Sequence, residues 1–210
     1  MEQIKINTAE KLLQIKAIKL QPTNYFTWAS GWHSPIYCDN RKTLSFPDVR
    51  NYIRDSFVTT IKEKYPNVEV IAGVATGAIA IGVLVAEAMN LPFIYIRASS
   101  KGHGLQNQVE GAYEAGQKVV VIEDLVSTGG SSLKAVEALR AEKIDVLGML
   151  AIFTYGFKIA SDNFKNANIE LTTLSDYNVM IDLAAKKDYI KESEKNTLAE
   201  WRVAPDKWNK

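Results

Sequence analysis

Apolar residues recur along this chain in two rhythms, and the rhythm changes near residue 68. Ahead of that point the spacing is helical. Leu12, Ile15 and Ile18 follow Asn7-Thr8 at intervals that predict an amphipathic helix within the first twenty residues. Val49, Ile53, Phe57 and Ile61 make an i, i+4 stripe that predicts a second helix, with Asp48 as its natural N-cap. The stretch between, Gln21 to Asn40, is aromatic and polar and holds Pro22, Gly31 and Pro35, which predicts an irregular loop or hairpin region.

From Val68 onward, short β-branched runs alternate with helical patterns. Strands are predicted at 68–74, 92–97, 118–123, 145–154 and 168–174, and helices at 78–89, 131–142 and 176–187. Such alternation implies βαβ units with right-handed crossovers, so the fold class is α/β with a mostly parallel central sheet flanked by helices. Val70 to Ala86 carries no charge and approaches the length of a membrane span. Gly73, Gly77 and Gly82, with Glu69 and Glu87 at its borders, fit a buried strand and a small-residue helix better. Ala98–Gln117 breaks the rhythm with Gly102, Gly104, Gly111 and Gly116, as lids and binding loops do. The charged tail from Lys191 to Lys210 holds Trp201 and Trp208 and is expected to dock on the body.

Length and charge narrow the class. Two hundred and ten residues suit one α/β domain over 1–210, and 47% hydrophobic with 23% charged residues is the balance of a soluble globule. A net charge of +1 offers no global field for nucleic acid or an anionic membrane, so anionic ligands must be caught locally. The one cysteine, Cys38, excludes an internal disulfide and fits a reducing cytoplasm. With only His33 and His103 beside it, a dedicated zinc site is not expected. The residues after Met1 lack the apolar core of a signal peptide.

Chemistry concentrates where the strand over 118–123 ends. Val119-Val120-Val121-Ile122 runs into Glu123-Asp124, then a Ser/Thr/Gly loop, then a helix. Thr128, Gly129 and Gly130 can offer consecutive backbone N–H groups to an anion, and the helix adds its N-terminal partial charge. The acid pair can accept hydrogen bonds from vicinal sugar hydroxyls. The ATP-type pattern GxxxxGK[ST] is absent. A second small-residue turn, Gly73-Val74-Ala75-Thr76-Gly77-Ala78, can admit another anion, or its glycines can serve close helix–sheet packing. Arg97, Lys101 and His103 set three cation-capable groups on a glycine-rich arm suited to closing over a diphosphate. Phe26 to Asn40 mixes aromatics with hydroxyls, which suits either a hood over a planar base or core and interface aromatics.

IEDLVSTGGSS resembles the 5-phosphoribosyl 1-diphosphate motif of the type I phosphoribosyltransferases. FTxxSGxxSPIYxDNR, GVATGAIA, YxR with KGHGxxNQxEG, and VVVIEDLxSTGGSS follow in the order seen in orotate phosphoribosyltransferases, which extends the resemblance over nearly the whole chain. The resemblance implies transfer of a phosphoribosyl group from 5-phosphoribosyl 1-diphosphate to orotate, giving orotidine 5′-phosphate and diphosphate with Mg²⁺. It implies a hood built largely from 1–45 and a mobile loop over 98–117. By the same resemblance Glu123, Asp124, Leu125, Val126, Ser127, Thr128, Gly129, Gly130 and Ser131 hold the ribose 5-phosphate, with the two acids on the sugar hydroxyls. Arg97, Lys101 and His103, with Thr76 and Gly77, meet the diphosphate, and Ser127, Ser34 and Tyr37 meet orotate. Lys101, Asp124 and His103 are the expected catalytic residues, with Mg²⁺ held mainly through substrate in a cytoplasmic homodimer with shared sites.

The chain departs from some relatives at Ala29, Ala75-Thr76, Ala98 and Thr154-Tyr155-Gly156-Phe157, where they carry lysines, a tyrosine–lysine pair and an orotate-binding arginine. Candidates for the orotate carboxylate are then backbone N–H groups near Ser34 and the side chain of Arg41. Two rivals stand beside this reading: a phosphoribosyltransferase for another base, and a non-catalytic sensor of the sugar diphosphate.

Overall fold

The structure is a computed structural model that describes residues 1–28, 31–98 and 108–208. Its elements in chain order are α1 (Glu2–Gln14), β1 (Ile18–Leu20), β2 (Phe26–Thr27), β3 (His33–Ser34), β4 (Ile36–Cys38), a 3-10 turn (Asn40–Ser45), α2 (Pro47–Lys64) and β5 (Val70–Val74). They continue with α3 (Ile79–Met89), β6 (Phe93–Ile96), β7 (Val109–Glu110), β8 (Lys118–Val126), α4 (Gly130–Ala141) and β9 (Asp145–Thr154). The chain closes with α5 (Lys158–Asn166), β10 (Leu171–Asp176), α6 (Tyr177–Lys186), a 3-10 turn (Glu192–Glu194) and α7 (Lys195–Val203).

Six strands form the central sheet in the order β10-β9-β8-β5-β6-β7, and every pairing is parallel except β6 with β7. The strands read as unbroken apolar runs because both faces are covered. Side chains alternate between faces. Ile71, Val120, Ile122, Leu150 and Ile152 face the core shared with α1, α2, α3 and α6. Val70, Ala72, Val119, Val121, Met149 and Ala151 face α4 and α5. Strand order reverses between β5 and β8, so α3 leaves β5 toward one face and α4 leaves β8 toward the other. The crevice between their opening turns is the place where open α/β sheets bind ligands.

Several boundaries differ from the sequence reading for local reasons. Lys16 sits at φ 54, which ends α1 after Gln14 and sends Ile18 into β1. Pro47 takes the first position of α2, so Asp48 lies in the first turn and Phe46 caps. β8 runs on to Val126, because Leu125 and Val126 keep pairing with Phe153 and Thr154 of β9. The turn residue Asn168 (φ 51) delays β10 to Leu171. Helices α5 and α7 went unpredicted, and part of the 98–117 region forms β7 on the sheet edge. Gln21 to Asn40 does form a hairpin, β2 with β3, and its β4 pairs with β1 just ahead of that stretch. The tail docks: Trp201 is fully buried and the Trp208 ring lies 4.4 Å from that of Tyr25. Among the described residues no helix is long and apolar enough to cross a membrane.

Candidate active site

The acid pair at the end of β8 is divided by strand alternation. Glu123 turns toward α4, where it is 5% exposed and both its oxygens are engaged. Its Oε2 accepts the Ser132 hydroxyl at 2.8 Å and its Oε1 accepts the Asp124 backbone N–H at 2.9 Å. Burial, then the neighbouring Asp124 charge, pushes the Glu123 carboxyl up to about 8. Asp124 turns the other way, toward the turn after β5. A Cβ built on Gly77 would collide with the Asp124 carboxylate, so glycine is what lets the second turn approach the acid. A Cβ on Gly73 would likewise meet the Ala78 carbonyl oxygen at 2.8 Å, so that glycine serves close packing of the strand against its helix.

The loop from Ser127 to Gly129 is fixed from below. Gly129 adopts φ +83 as the N-cap of α4, and a Cβ there would also meet the Phe164 ring at 2.9 Å. Asn163 on α5 donates its amide to the Thr128 carbonyl at 3.0 Å. The Thr154 hydroxyl donates to the Val126 carbonyl at 3.0 Å. These bonds consume backbone carbonyls and leave the turn's N–H groups, with Ser127 and Thr128 half-buried and Gly130 and Ser131 exposed, at the opening of α4. That is an anion cradle by construction. Asn163 is a site residue the sequence did not reveal, since its helix went unpredicted.

The hood reaches the acid through one buried side chain. Asn40, 2% exposed, donates its amide to the Asp124 carbonyl at 2.6 Å and accepts from the Cys38 thiol at 3.3 Å. Burial, then Asp124 and Asp39, pushes that thiol up, so it stays protonated as a donor. Tyr37 is exposed, with its ring 5.6 Å from that of Phe26. The Ser34 hydroxyl is fully buried and donates to the Ile36 carbonyl at 2.8 Å, so it shapes the turn rather than facing outward. Arg41 donates to Asp39 at 2.7 Å. That bond raises its pKa first, and the Asp124 and Tyr37 charges add to the shift.

Arg97 leaves the end of β6, gives its backbone N–H to the Gln108 carbonyl at 2.9 Å and pairs with Glu110 at 3.6 Å. Lys101 and His103 lie outside the described residues. The structure thus brings together Asp124, Gly77, the 127–131 turn and Asn40, holds Glu123 beside Asp124, and sets Tyr37 and Arg41 on the segment that flanks Asn40. A cavity of 950 Å³ lies elsewhere, beside Gly156, Tyr177, Lys195 and Arg202. Its cations are taken by protein partners: Lys195 by Asp182, Lys158 by Asp162, and Arg202 by Asn178 and two backbone carbonyls.

Comparison with known proteins gives the family and the fold. A model of the phosphoribosyl transferase domain covers residues 44–176. An orotate phosphoribosyltransferase of Bacteroides thetaiotaomicron is 57% identical over 201 residues, which is 96% of this chain and 95% of that protein. One from Phocaeicola vulgatus is 58% identical over 200 residues, 95% of this chain and 94% of that protein. The crystal structure of orotate phosphoribosyltransferase from Aeropyrum pernix superposes with a TM-score of 0.75 at 26% identity, over 87% of this chain and 98% of that one.

Proposed function

The chain belongs to the phosphoribosyl transferase domain family and, within it, to the orotate phosphoribosyltransferases, and from that premise we infer that it transfers the 5-phosphoribosyl group of 5-phosphoribosyl 1-diphosphate to orotate in pyrimidine biosynthesis. The observation that carries the reading is the Asp124 carboxylate set against Gly77, between two helix-opening turns at the switch point of the sheet. One extended ligand with a phosphate at one end, a diphosphate at the other and a diol between them fits that spacing of anion cradles and acid.

In this reading the 127–131 turn holds the 5-phosphate and Asp124 accepts from the ribose hydroxyls. Glu123 keeps Asp124 in place through the backbone N–H it accepts. Thr76 and Gly77 take the diphosphate end with Arg97, Lys101 and His103. Tyr37, Ser127 and the backbone around Ser34 frame the base, and Arg41, one residue beyond Asn40, is the candidate partner of its carboxylate. A ring nitrogen of orotate bonds to the anomeric carbon as the bond to diphosphate breaks, and the proton it gives up passes to an oxygen of the departing diphosphate. Positive charge gathers on the sugar in between, and the fixed Asp124 charge opposes it. Lys101 and His103 neutralise the leaving group, and no covalent enzyme intermediate is needed. Mg²⁺ suits substrate phosphates plus one or two carboxylates with water, a donor set that Asp124 and the sugar can supply. When bound, that ion supplies charge neutralisation at the diphosphate. The working form is a cytoplasmic homodimer with shared sites.

The test follows orotate's ultraviolet absorbance with protein, 5-phosphoribosyl 1-diphosphate and Mg²⁺, with uracil, adenine and hypoxanthine as competitors. A fall that needs every component and releases diphosphate is expected. Turnover of another base in preference to orotate, or binding of the sugar diphosphate without turnover of any base, sinks the assignment.

A further inference from the structure

The phosphoribosyl transferase domain match stops at residue 44 on one side and 176 on the other. The hood lies before it and α7 after it, and the two meet. Trp201 is fully buried and gives its indole N–H to the His33 carbonyl at 3.0 Å, 168 residues away in sequence. Its ring stands edge-on to Trp28 at 5.6 Å, and Trp28 gives its own indole N–H to the Ile36 carbonyl at 3.1 Å. Two tryptophan donors therefore grip the carbonyls on either side of Ser34-Pro35. The Ser34 hydroxyl adds a third bond to Ile36. Everything the hood shows to the site follows that turn directly: Tyr37, then Asn40 with its bond to Asp124, then Arg41.

The helix that carries Trp201 is itself seated firmly. Tyr177 gives its hydroxyl to the Leu198 carbonyl at 2.9 Å. Arg202 bonds the Tyr155 carbonyl at 3.1 Å, the Gly156 carbonyl at 2.8 Å and the Asn178 side chain at 2.6 Å. Tyr155 and Phe157, at the end of β9, pack their rings on Trp201 at 5.8 and 5.5 Å. The hood is thus tied to the sheet through a tail segment that the shared domain does not include.

We propose that Trp201 is a positioning residue for the base: its indole N–H fixes the His33–Ile36 turn and so sets where Tyr37 and Arg41 stand when orotate binds, while Asn40 is held separately by its bond to Asp124 and by the Thr43 hydroxyl on its carbonyl. The proposal rests on the orotate reading above. It predicts a split between substrates that loss of stability alone does not produce. In that reading the sugar-diphosphate contacts come from the ends of β5, β6 and β8, which ladder pairing holds, and α7 reaches them only at one remove, through the Tyr155 N–H on the Val126 carbonyl.

The experiment uses the full chain with Trp201→Phe, which keeps an aromatic ring and removes the donor. The KM for orotate should rise about five- to tenfold, the scale of one buried hydrogen bond, while kcat and the KM for 5-phosphoribosyl 1-diphosphate hold within about twofold. Trp28→Phe removes the companion bond to Ile36 and should show the same split, which keeps the proposal testable if the Trp201 variant fails to fold. Tyr177→Phe loosens α7 without touching the hood and should lower the melting temperature without the split. An unchanged orotate KM in the folded variants, equal rises in both KM values, or the same split from Tyr177→Phe each overturn the proposal. Wild-type failure to consume orotate speaks instead against the functional reading, since the proposal is judged only by variant-to-wild-type ratios.

Discussion

The two halves of the site are held by different forces. The sugar-phosphate half is made of backbone. Its turns leave the ends of neighbouring parallel strands, and their positions follow from ladder pairing, from Gly77 against Asp124 and from Gly129 at φ +83. The base half is made of side chains from distant segments. Asn40 reaches Asp124 across 84 residues and Trp201 reaches His33 across 168. Backbone geometry tolerates little volume change, whereas a side-chain scaffold can be rebuilt without disturbing the sheet. A shared sugar-phosphate machine with a separately specified base pocket is what that difference allows.

Breaking the backbone half should cost the most. Asp124→Asn keeps the shape and removes the charge that opposes the developing cation. We expect kcat to fall about 10²- to 10³-fold with little change in melting temperature. A variant with near-normal kcat would remove Asp124 from the chemistry. Gly77→Ala tests the same half by volume. Its methyl must displace the Asp124 carboxylate, and displacement of a reacting group by about 1 Å can cost up to about 10²-fold. Steady-state kinetics with normal melting should show the loss in kcat, and wild-type kinetics would mean that the turn yields instead.

This division also explains what could be read from the sequence. Val119-Val120-Val121-Ile122 announces a strand covered on both faces, and the acids and small residues that follow announce the cradle. The chemistry of that half is local, so it is legible. Ser132 could be read only as a helix residue, because its bond to Glu123 depends on which way the strand turns each acid. Helix α5 is not legible in the sequence because Lys158–Asn166 carries only Ile159, Ala160 and Phe164 as apolar residues, too few for a clear stripe. Asn163 and its grip on Thr128 were hidden with it. Trp201 announced docking but not its destination, since composition says nothing about which carbonyl an indole will find.

Breaking the link between the halves should cost less than breaking the backbone half. Asn40→Ala leaves the Asp124 carbonyl and the Cys38 thiol without their buried partner. A stability loss of about 1–3 kcal/mol is expected from the unmet polar groups. Both substrates should bind more weakly, because this bond touches hood and acid together. Thermal melting beside the two KM values checks this, and a purely orotate-specific effect would place Asn40 wholly within the hood.

The smallest effect on rate, and the sharpest on pH, belongs to Glu123→Gln. In the folded chain this carboxyl titrates at about 8 against an ordinary 4.5, chiefly because it is buried and then because Asp124 lies beside it. The folded state therefore holds the proton more tightly than the unfolded chain does. The stability this contributes is complete below pH 4.5 and is lost as pH rises toward about 8. Glutamine stays neutral throughout and can still accept from Ser132 or from the Asp124 N–H. Wild-type melting temperature should fall across that window more steeply than the variant's, so the variant gains on the wild type as pH rises. Parallel curves at both ends of the window would mean that Glu123 is already ionised in the folded protein, with the Ser132 hydroxyl and the Asp124 N–H outweighing its burial. The variant's kcat should stay well above that of Asp124→Asn, because Glu123 acts on the sugar only by holding its neighbour in place.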